Sequence, residues 1–455
     1  MTPAERGKLT HFLGTLIAGG GALLARLAVI AWALSAKFPP IGDGHYYSVF
    51  AERLAHGQGY TWLWDDGTVT YAAHYPVGYP AIISVFYMIF GVKAAVPMVV
   101  NAVLGTLGVV AAHRLALMMT TPRRALIVAL AVALHPAIVS YTPAFMTEGA
   151  TLSLLLIAAA LALGEDTLWP RAIAAGLVMG LATLVRPQCL LLTPLLALCM
   201  IVNKPKKWPG LARAGSIVAL SIITCLPWTA RNCDKMKRCS LVSVNGGWNL
   251  AIGTQTKSGA WEELVVPESC KTIWDEAGKD ACFEREAKAA ILAHPISWLA
   301  LAPHKLDATF DYFGAGPWYL HASNPAAFSD RGKLVLGTVE TIASRALLLA
   351  ALLSFALSKG MPRNRRIVAS IGAAFSLSPP AWIAYGLLVV CVGLDRERHR
   401  VHLYAALVIA ATMATHAIFF GAGRYGLVVA PFVALLAGAT HRNLTLRQPR
   451  HDAIV

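Results

Sequence analysis

Long apolar runs alternate with short polar and basic segments along most of this chain. Several runs reach the roughly 20 residues that a helix needs to cross a bilayer, which is typical of a polytopic membrane protein. They predict helices near residues 12–36, 94–118, 124–141, 149–164, 171–186, 188–203, 213–229, 334–358, 366–378, 380–394, 401–420 and 425–440. We therefore expect an all-α polytopic membrane protein, a bundle of about twelve transmembrane helices.

One further apolar run, YPAIISVFYMIFG at 79–91, is short for a span. It has about 13 residues, fewer than a bilayer crossing requires. Counting it as a span would also move the later basic clusters to the opposite side of the membrane. We predict a re-entrant or interfacial helix here.

Basic residues gather in clusters between the apolar runs, as they do in cytoplasmic loops. The clusters are Arg6 and Lys8; Arg123 and Arg124; Lys204, Lys206 and Lys207; Lys359, Arg363, Arg365 and Arg366; Arg396, Arg398 and Arg400; Arg442, Arg447 and Arg450. Both termini are then predicted to be cytoplasmic. The first apolar run is too long for a cleaved signal, so we expect a retained helix.

This orientation divides the chain into three parts. We expect residues 1–229 to form an N-terminal transmembrane module, the candidate catalytic part of the chain, whose first loop, 37–78, is external. Residues 230–333 form a larger external, periplasmic segment, and 334–455 form C-terminal transmembrane helices with a basic cytoplasmic tail. The chain shows no internal repeat of the kind that many secondary transporters carry.

The composition supports a membrane protein and argues against a nucleic-acid partner. The chain has 455 residues, of which 56% are hydrophobic and 14% charged, and its mean hydropathy is +0.57. Soluble domains average about 25% charged residues. The net charge of +15 is concentrated in short loops, where it sets orientation and contacts lipid headgroups of the bilayer.

Four of the eight cysteines lie in the external segment: Cys233, Cys239, Cys270 and Cys282. Such a set fits two disulfides in an oxidising compartment. Three pairings are possible, and proximity favours 233–239 and 270–282. The alternative is a zinc site, which no CxxC or histidine spacing supports.

The first external loop carries a carboxylate, Asp43, between glycines in IGDGHYY. Flanking glycines allow close approach of a ligand, so Asp43 is a candidate general base or ligand for a divalent cation, Mg or Mn. The alternative is a helix N-cap, because the aromatic amphipathic run YYSVFAERLAH follows. These two roles are compatible.

Two further segments add candidates. The return AHYPVGYPAII contains His74 and Tyr79, and its Pro/Gly content predicts a rigid turn. His74 could contact a phosphate group or an acceptor substrate. The alternative is an interfacial histidine with no role in binding. Glu148, in MTEGATL, caps a helix or is a second carboxylate facing Asp43 across a cavity, where the pair could share a metal.

Several cations are predicted near helix ends on the external side. They are Arg186, Arg231, Lys305 and Arg424. Cations in this position suit an anionic phosphate, and arginine can bind it bidentately. For any single one, snorkelling to the interface is the alternative. The chain contains no P-loop, GxGxxG, HExxH or GxSxG motif, which argues against a nucleotide-powered or soluble-cofactor enzyme.

A series of motifs in a characteristic order resembles the polytopic GT-C glycosyltransferases. More closely, it resembles bacterial relatives of dolichyl-phosphate-mannose-protein mannosyltransferase and of the aminoarabinose lipid A transferase. The motifs are DGHYYSVFAERLAHGQGY, YPVGYPAII, FMTEGATLSLLL, LATLVRPQCLLLTPLL, LPWTARN, SVNGGWNLAIGT, AHPISWLALAPHKL and RYGLVVAPFVALLAG. The resemblance covers most of the chain.

The resemblance implies an enzyme of the bacterial inner membrane whose active site faces the periplasm. Such enzymes pass a sugar from a polyprenyl-phosphate donor to an acceptor glycan, lipid or protein. Asp43 matches the first-loop acid that activates the acceptor or helps to hold a metal, and Glu148 matches the acid of the second external loop. The outer arginines and lysine would hold the phosphate of the carrier.

Two departures from the family pattern stand out. The usual PPGYP return is here YPVGYP, and Gly44 follows Asp43 where many relatives carry an Asp-Glu pair. The second departure leaves metal dependence open. A lipid-linked-sugar flippase or transporter and a polysaccharide ligase or polymerase remain alternatives, although a transporter predicts charges near mid-bilayer rather than at its outer boundary.

Overall fold

The computed structural model describes residues 3–164, 168–202, 208–358, 361–395 and 399–438. Much of the predicted cytoplasmic tail lies outside these residues. So do several basic positions that set the predicted orientation: Lys204, Lys206, Lys207, Lys359, Arg396, Arg398, Arg442, Arg447 and Arg450.

The fold is α-helical, as the apolar pattern predicted. The helices of the N-terminal part are α1 Pro3–Ser35, α2 Asp43–Ala55, α3 Gly78–Phe90, α4 Ala95–Leu117, α5 Pro122–Ala133, α6 Pro136–Ser140, α7 Thr147–Ala162, α8 Trp169–Val185, α9 Cys189–Ile201 and α10 Trp208–Lys235. Those that follow are α11 Gly246–Gln255, α12 Glu276–Ala293, α13 Pro295–Ala300, α14 Ala302–Phe310, α15 Ala315–Ser323, α16 Asp330–Ala356, α17 Arg363–Phe375, α18 Ala381–Gly393, α19 Arg400–Ile418, α20 Gly423–Gly426 and α21 Ala430–Ala437.

Two predicted helices are interrupted. The run predicted as 124–141 ends as α5 at Ala133 and resumes as α6 at Pro136. Proline disfavours a helical conformation in the residue before it and has no backbone N–H, so the helix breaks at this point. The run predicted as 425–440 is divided into α20 and α21 by a turn at residues 427–429.

Five helical stretches among the described residues are long and apolar enough to cross a membrane. They are Leu9–Ser35, Ala95–Leu117, Trp208–Lys235, Asp330–Ala356 and Arg400–Ile418. Other apolar helices are shorter, including α3, which coincides with the short run predicted at 79–91. The number of about twelve crossings, and the interfacial position of α3, therefore stay predictions.

The first loop contains the strands that the all-α expectation omitted. After α2, β1 (Thr61–Leu63) and β2 (Val69–Tyr71) pair antiparallel. The turn between them contains Asp-Gly, with Gly67 at φ 84° and the Asp66 carboxylate accepting the Thr68 N–H at 2.9 Å. Asp-Gly between short strands is a hairpin signal, so the sequence contained this information.

The predicted external segment, residues 230–333, contains both disulfides, Cys233–Cys239 and Cys270–Cys282. This is the pairing that proximity favoured, and it occupies the thiols that a zinc site would need. Cys270–Cys282 lies in a small core around Phe283 that also contains Phe420 and Tyr425. The external segment is thereby packed against the chain that follows α19.

The bundle core surrounds α7, which packs against α4 and α8. Nearly every residue of α7 is buried, including Glu148 in its first turn. A carboxylate at the buried start of a central helix requires polar partners. Those partners form the candidate site.

Candidate active site

A cavity of about 640 Å³ lies where the first loop, the start of α7, the α8–α9 junction, α11 and the end of α19 meet. Five predicted site residues line it. They are Asp43, His74, Glu148, Arg186 and Arg424. Residues from segments almost four hundred positions apart in sequence therefore share one cavity.

Asp43 is the first residue of α2, and its carboxylate is held from two sides. Its Oδ2 lies 2.8 Å from Arg424 Nη2, and its Oδ1 accepts the Tyr75 hydroxyl at 3.4 Å. The N-cap position is occupied by Gly42, and no side chain caps α2. Asp43 therefore suits the positive end of the helix dipole but is not the N-cap, which leaves its carboxylate directed to the cavity.

Glu148 is the second carboxylate, and its side chain is 2% exposed. Its Oε1 lies 3.2 Å from Arg186 Nη1 and 3.5 Å from Arg424 Nε. Arg424 thus contacts both acids, and the charges alternate in the order Asp43, Arg424, Glu148, Arg186. The other oxygen of Glu148, Oε2, is buried and has no hydrogen-bond partner among the described residues.

Tyr425 and His416 support the two arginines, and the sequence analysis named neither. The guanidinium carbons of Arg186 and Arg424 lie 4.8 and 5.2 Å from the centre of the Tyr425 ring. The His416 ring stacks on Tyr425 at 4.1 Å, and its Nδ1 donates to the Phe420 carbonyl at 2.9 Å. Cation–π contacts of this kind orient the guanidinium groups. The one available sequence signal was the adjacency of Tyr425 to Arg424.

The glycines of GAGRYG place Arg424. The Gly421 N–H donates to the Gly259 carbonyl at 2.8 Å. A Cβ at Gly421 would overlap the Lys305 carbonyl oxygen, and one at Gly423 would overlap the Tyr312 ring. Only residues without a side chain allow this close approach, so the loop after α19 is pressed against α14 with Arg424 at the cavity.

The return of the first loop is held by the external segment. Glu276 Oε2 accepts the N–H groups of Ala73 at 2.6 Å and His74 at 2.9 Å. The Val244 N–H donates to the Ala73 carbonyl at 2.9 Å. Burial lowers the pKa of His74 to about 4, so this side chain lines the cavity as a neutral imidazole.

We expect Glu276→Ala to slow turnover by about 10-fold or more while the bundle stays folded. Hydrogen bonds to a charged group contribute about 1.5–3 kcal/mol each, and their loss frees the segment that carries His74 and Tyr75. Activity assays and limited proteolysis of residues 72–76 measure the effect. The matched control is Glu268→Ala, whose side chain is 87% exposed and pairs with Lys271 at the surface. Unchanged turnover and proteolysis in Glu276→Ala would contradict this role.

Three predicted substrate-binding residues do not line the cavity. Arg231 donates to the carbonyls of Ala72 and Tyr60, both at 2.9 Å, and so braces the first loop. Lys305 donates to the Ile418 carbonyl at 3.0 Å at the end of α19, and burial lowers its pKa to about 8.

The third residue, Tyr79, is 1% exposed, and its hydroxyl donates to Asn101 Oδ1 at 3.1 Å. These positions do not support a direct role of the three residues in substrate binding. Their polar groups satisfy partners inside the protein instead.

The predicted metal ligands are Asp43 and Glu148. Each carboxylate already contacts a guanidinium, at 2.8 Å for Asp43 and 3.2 Å for Glu148. Among the described residues, the only cluster of three or more ligand-type side chains is Cys270, Cys282 and Glu286, which contains a disulfide. Two arginines beside two carboxylates oppose a divalent cation, so this donor set does not fit one held by protein ligands.

Residues 74–229 match the family model described as dolichyl-phosphate-mannose-protein mannosyltransferase. This segment, about a third of the chain, is similar to these mannosyltransferases. The matched segment contains three residues of the cavity, His74, Glu148 and Arg186. Asp43 precedes the matched segment, and Arg424 and the predicted external segment follow it. Comparison with curated protein sequences gave no match.

Solved structures similar to this chain include ArnT from Cupriavidus metallidurans bound to undecaprenyl phosphate. That match has 16% identity and a TM-score of 0.42, and it covers 91% of this chain and 76% of ArnT. The oligosaccharyltransferase of Archaeoglobus fulgidus in its apo form matches with 14% identity and a TM-score of 0.45. That match covers 94% of this chain but 50% of the archaeal protein, so the chain spans about half of its length.

Proposed function

We propose that this protein is a membrane glycosyltransferase that moves a sugar from a polyprenyl-phosphate donor to an acceptor glycan, lipid or protein. The observation that carries the proposal is the alternating set of two carboxylates and two arginines in one large cavity. Sugar transfer from a phosphate needs a base for the acceptor and cations for the leaving group. The carboxylates and arginines of this cavity are candidates for both.

Asp43 is the proposed general base. Its carboxylate takes the proton of the acceptor hydroxyl as that oxygen bonds to the anomeric carbon of the sugar. The bond between the anomeric carbon and the phosphate oxygen breaks, and its electron pair leaves with the carrier phosphate. Arg186 and Arg424 stabilise the negative charge that develops on this phosphate.

Donor binding would also prepare the base. Arg424 now contacts both Asp43 and Glu148, and a phosphate in the cavity competes with these carboxylates for the same guanidinium. Once Arg424 binds phosphate, the Tyr75 hydroxyl is the remaining partner of Asp43 among the described residues. Its carboxylate is then available to hydrogen-bond the acceptor hydroxyl.

The apolar side of the cavity suits the prenyl chain of the carrier. It is lined by residues of two neighbouring helices, α9 and α19. These residues are Leu190, Leu191, Ala411, Ala414 and Ile418. Leu191 and Ile418 are also exposed on the outside of the protein, at 60% and 41%, so this wall continues to the surface that a bilayer would cover.

The cavity would face the periplasm across a bacterial inner membrane. Arg123 and Arg124 begin α5, and the chain then passes through α5 and α6 before it reaches Glu148. Positive charge at the start of α5, the end remote from Glu148, favours a cytoplasmic location for that end of the helix. The two disulfides of residues 230–333 suit an oxidising compartment.

The proposal is tested with purified protein and a panel of polyprenyl-phosphate sugars. We expect release of the carrier phosphate that depends on an added acceptor, and release that persists in EDTA because the donor set does not fit a divalent cation. Donor movement across a vesicle membrane without release would indicate the flippase alternative. Release of carrier pyrophosphate, with growth of a polymer, would indicate the polymerase alternative.

A further inference from the structure

A buried arginine, Arg26, lies within the first long helix, α1. It is part of the stretch Leu9–Ser35, which is long and apolar enough to cross a membrane, and the residue is 1% exposed. A charged side chain inside a membrane-spanning bundle is costly, and it normally has a polar or charged partner. The contacts of this guanidinium therefore indicate what the residue does.

Two backbone carbonyls hold one end of the guanidinium. Arg26 Nη1 donates to the carbonyl of Ala22, one turn earlier in α1, at 3.0 Å and to that of Ala133 at 3.2 Å. Ala133 is the last residue of α5, so its carbonyl has no partner within that helix. A Cβ at Gly105 of α4 would lie 2.5 Å from Arg26 Nε, so this glycine makes room for the guanidinium between the helices.

The other end of the guanidinium has no partner in the part of the chain that the structure describes. Arg26 Nη2 is buried without a hydrogen bond there, and no described carboxylate lies within ion-pair distance of the side chain. The acid at the start of α7, Glu148, pairs instead with Arg186 and Arg424. Two carbonyls do not cancel a full positive charge, and an uncompensated buried charge is unfavourable. An anion would compensate it.

A cavity of about 20 Å³ lies beside Arg26, between α1, α4 and the chain that leads into α7. Its polar lining comes from Asn101, Tyr141 and Thr142 as well as from the guanidinium, and the rest of the lining is apolar. A single water-sized particle needs roughly 10–15 Å³. The cavity therefore has room for one small ion, and it is too small for phosphate or sulfate.

One further hydrogen-bond donor lines this cavity. The Tyr141 hydroxyl makes no hydrogen bond within the described ranges of the chain. The other polar groups are already used, because the Asn101 amide donates to two backbone carbonyls and the Thr142 hydroxyl donates to a third. A guanidinium N–H and a phenol O–H are both donors. A ligand between them must accept hydrogen bonds and carry negative charge.

We propose that this cavity binds chloride, held by Arg26 Nη2 and the Tyr141 hydroxyl. A small spherical anion fits the volume, accepts both hydrogen bonds and compensates the buried guanidinium. The ion would connect α1 and α4 to residues 138–149, the segment that contains Glu148. The inference does not depend on the proposed sugar transfer, because its tests measure binding and stability.

The first test locates the ion directly. Bromide has the charge of chloride and a similar size, and its anomalous scattering identifies it in a crystal. We expect crystals of the full chain grown in sodium bromide to show an anomalous peak between Arg26 Nη2 and the Tyr141 hydroxyl. Density without anomalous signal at this position would identify a water molecule, and either that result or a lack of density overturns the proposal.

The second test measures stabilisation by the ion. A ligand that binds only the folded protein raises the midpoint of thermal unfolding as its concentration increases. After dialysis into sodium gluconate, whose anion is too large for the cavity, we expect sodium chloride at equal ionic strength to raise this midpoint by about 2 °C or more. An unchanged midpoint contradicts the proposal.

Two variants connect this effect to the cavity. Arg26→Gln should abolish the rise caused by chloride. Tyr141→Phe keeps the guanidinium but removes one donor to the ion, so it should need about 10-fold more chloride for the same rise, and it provides the test if Arg26→Gln does not fold. The matched control is Arg365→Gln, which removes a buried arginine that already pairs with Asp395 at 3.0 Å and should keep the full rise. An undiminished response to chloride in Tyr141→Phe or Arg26→Gln would assign the effect to another site.

Discussion

Asp43→Asn is expected to lower the rate of sugar transfer by about 100-fold or more. General-base catalysis contributes roughly 10²–10⁴-fold, and an amide cannot accept the proton of the acceptor hydroxyl. The substitution keeps the shape of the side chain and its position at the start of α2. Carrier-phosphate release by purified protein, at saturating donor and acceptor, measures the effect.

The fold is expected to survive this change. The Asp43–Arg424 pair is partly exposed, with side chains 31% and 27% accessible, and such pairs contribute about 0–1 kcal/mol to stability. The matched control is Asp65→Asn, an exposed acid in the turn of the same loop, which should retain full activity. Normal turnover by well-folded Asp43→Asn protein would show that Asp43 is not the general base.

Arg424→Gln is the second change with a large expected effect. Removing one donor that stabilises a developing charge costs about 10²–10³-fold in rate, and Arg424 is the residue that contacts both acids. We expect kcat/KM to fall within this range and binding of sugar-free undecaprenyl phosphate to weaken. Arg424→Lys keeps the charge but lacks the planar fork, so it should retain intermediate activity.

Two comparisons distinguish a loss of phosphate binding from misfolding of the protein. Arg331→Gln removes an exposed arginine at the start of α16 and should behave like the unchanged protein. Thermal unfolding of Arg424→Gln shows whether loss of a partner for the buried Glu148 destabilises the bundle. If Arg424→Lys and Arg424→Gln both bind carrier phosphate as tightly as the unchanged protein, Arg424 does not hold the phosphate.

Much of the local structure was available in the sequence. Among the described residues, helices occupy the predicted apolar runs, and two of these runs are interrupted. The break before Pro136 and the Asp66–Gly67 turn follow from rules of local chemistry. Proximity along the chain also favoured the observed disulfide pairing. These features depend on neighbours within a few residues, and the sequence states those neighbours directly.

The choice among the predicted cations required the tertiary structure. Arg186 and Arg424 reach the cavity, whereas Arg231 and Lys305 donate to backbone carbonyls of distant segments. Every residue supplies a carbonyl, so sequence alone does not indicate which cation finds such a partner. For the same reason, the sequence did not indicate the role of Glu276. Its partners are the backbone N–H groups of a loop about two hundred residues away.

The sequence by itself determined the helical class, because periodicity records it. Motif order also indicated the resemblance to lipid-linked-sugar transferases and the two candidate acids, Asp43 and Glu148. Only the tertiary structure decided that Arg424 contacts both Asp43 and Glu148, and that α11 closes the cavity with uncharged groups. Those contacts join segments hundreds of residues apart. They exist only once packing, glycine contacts and buried hydrogen bonds have brought the segments together.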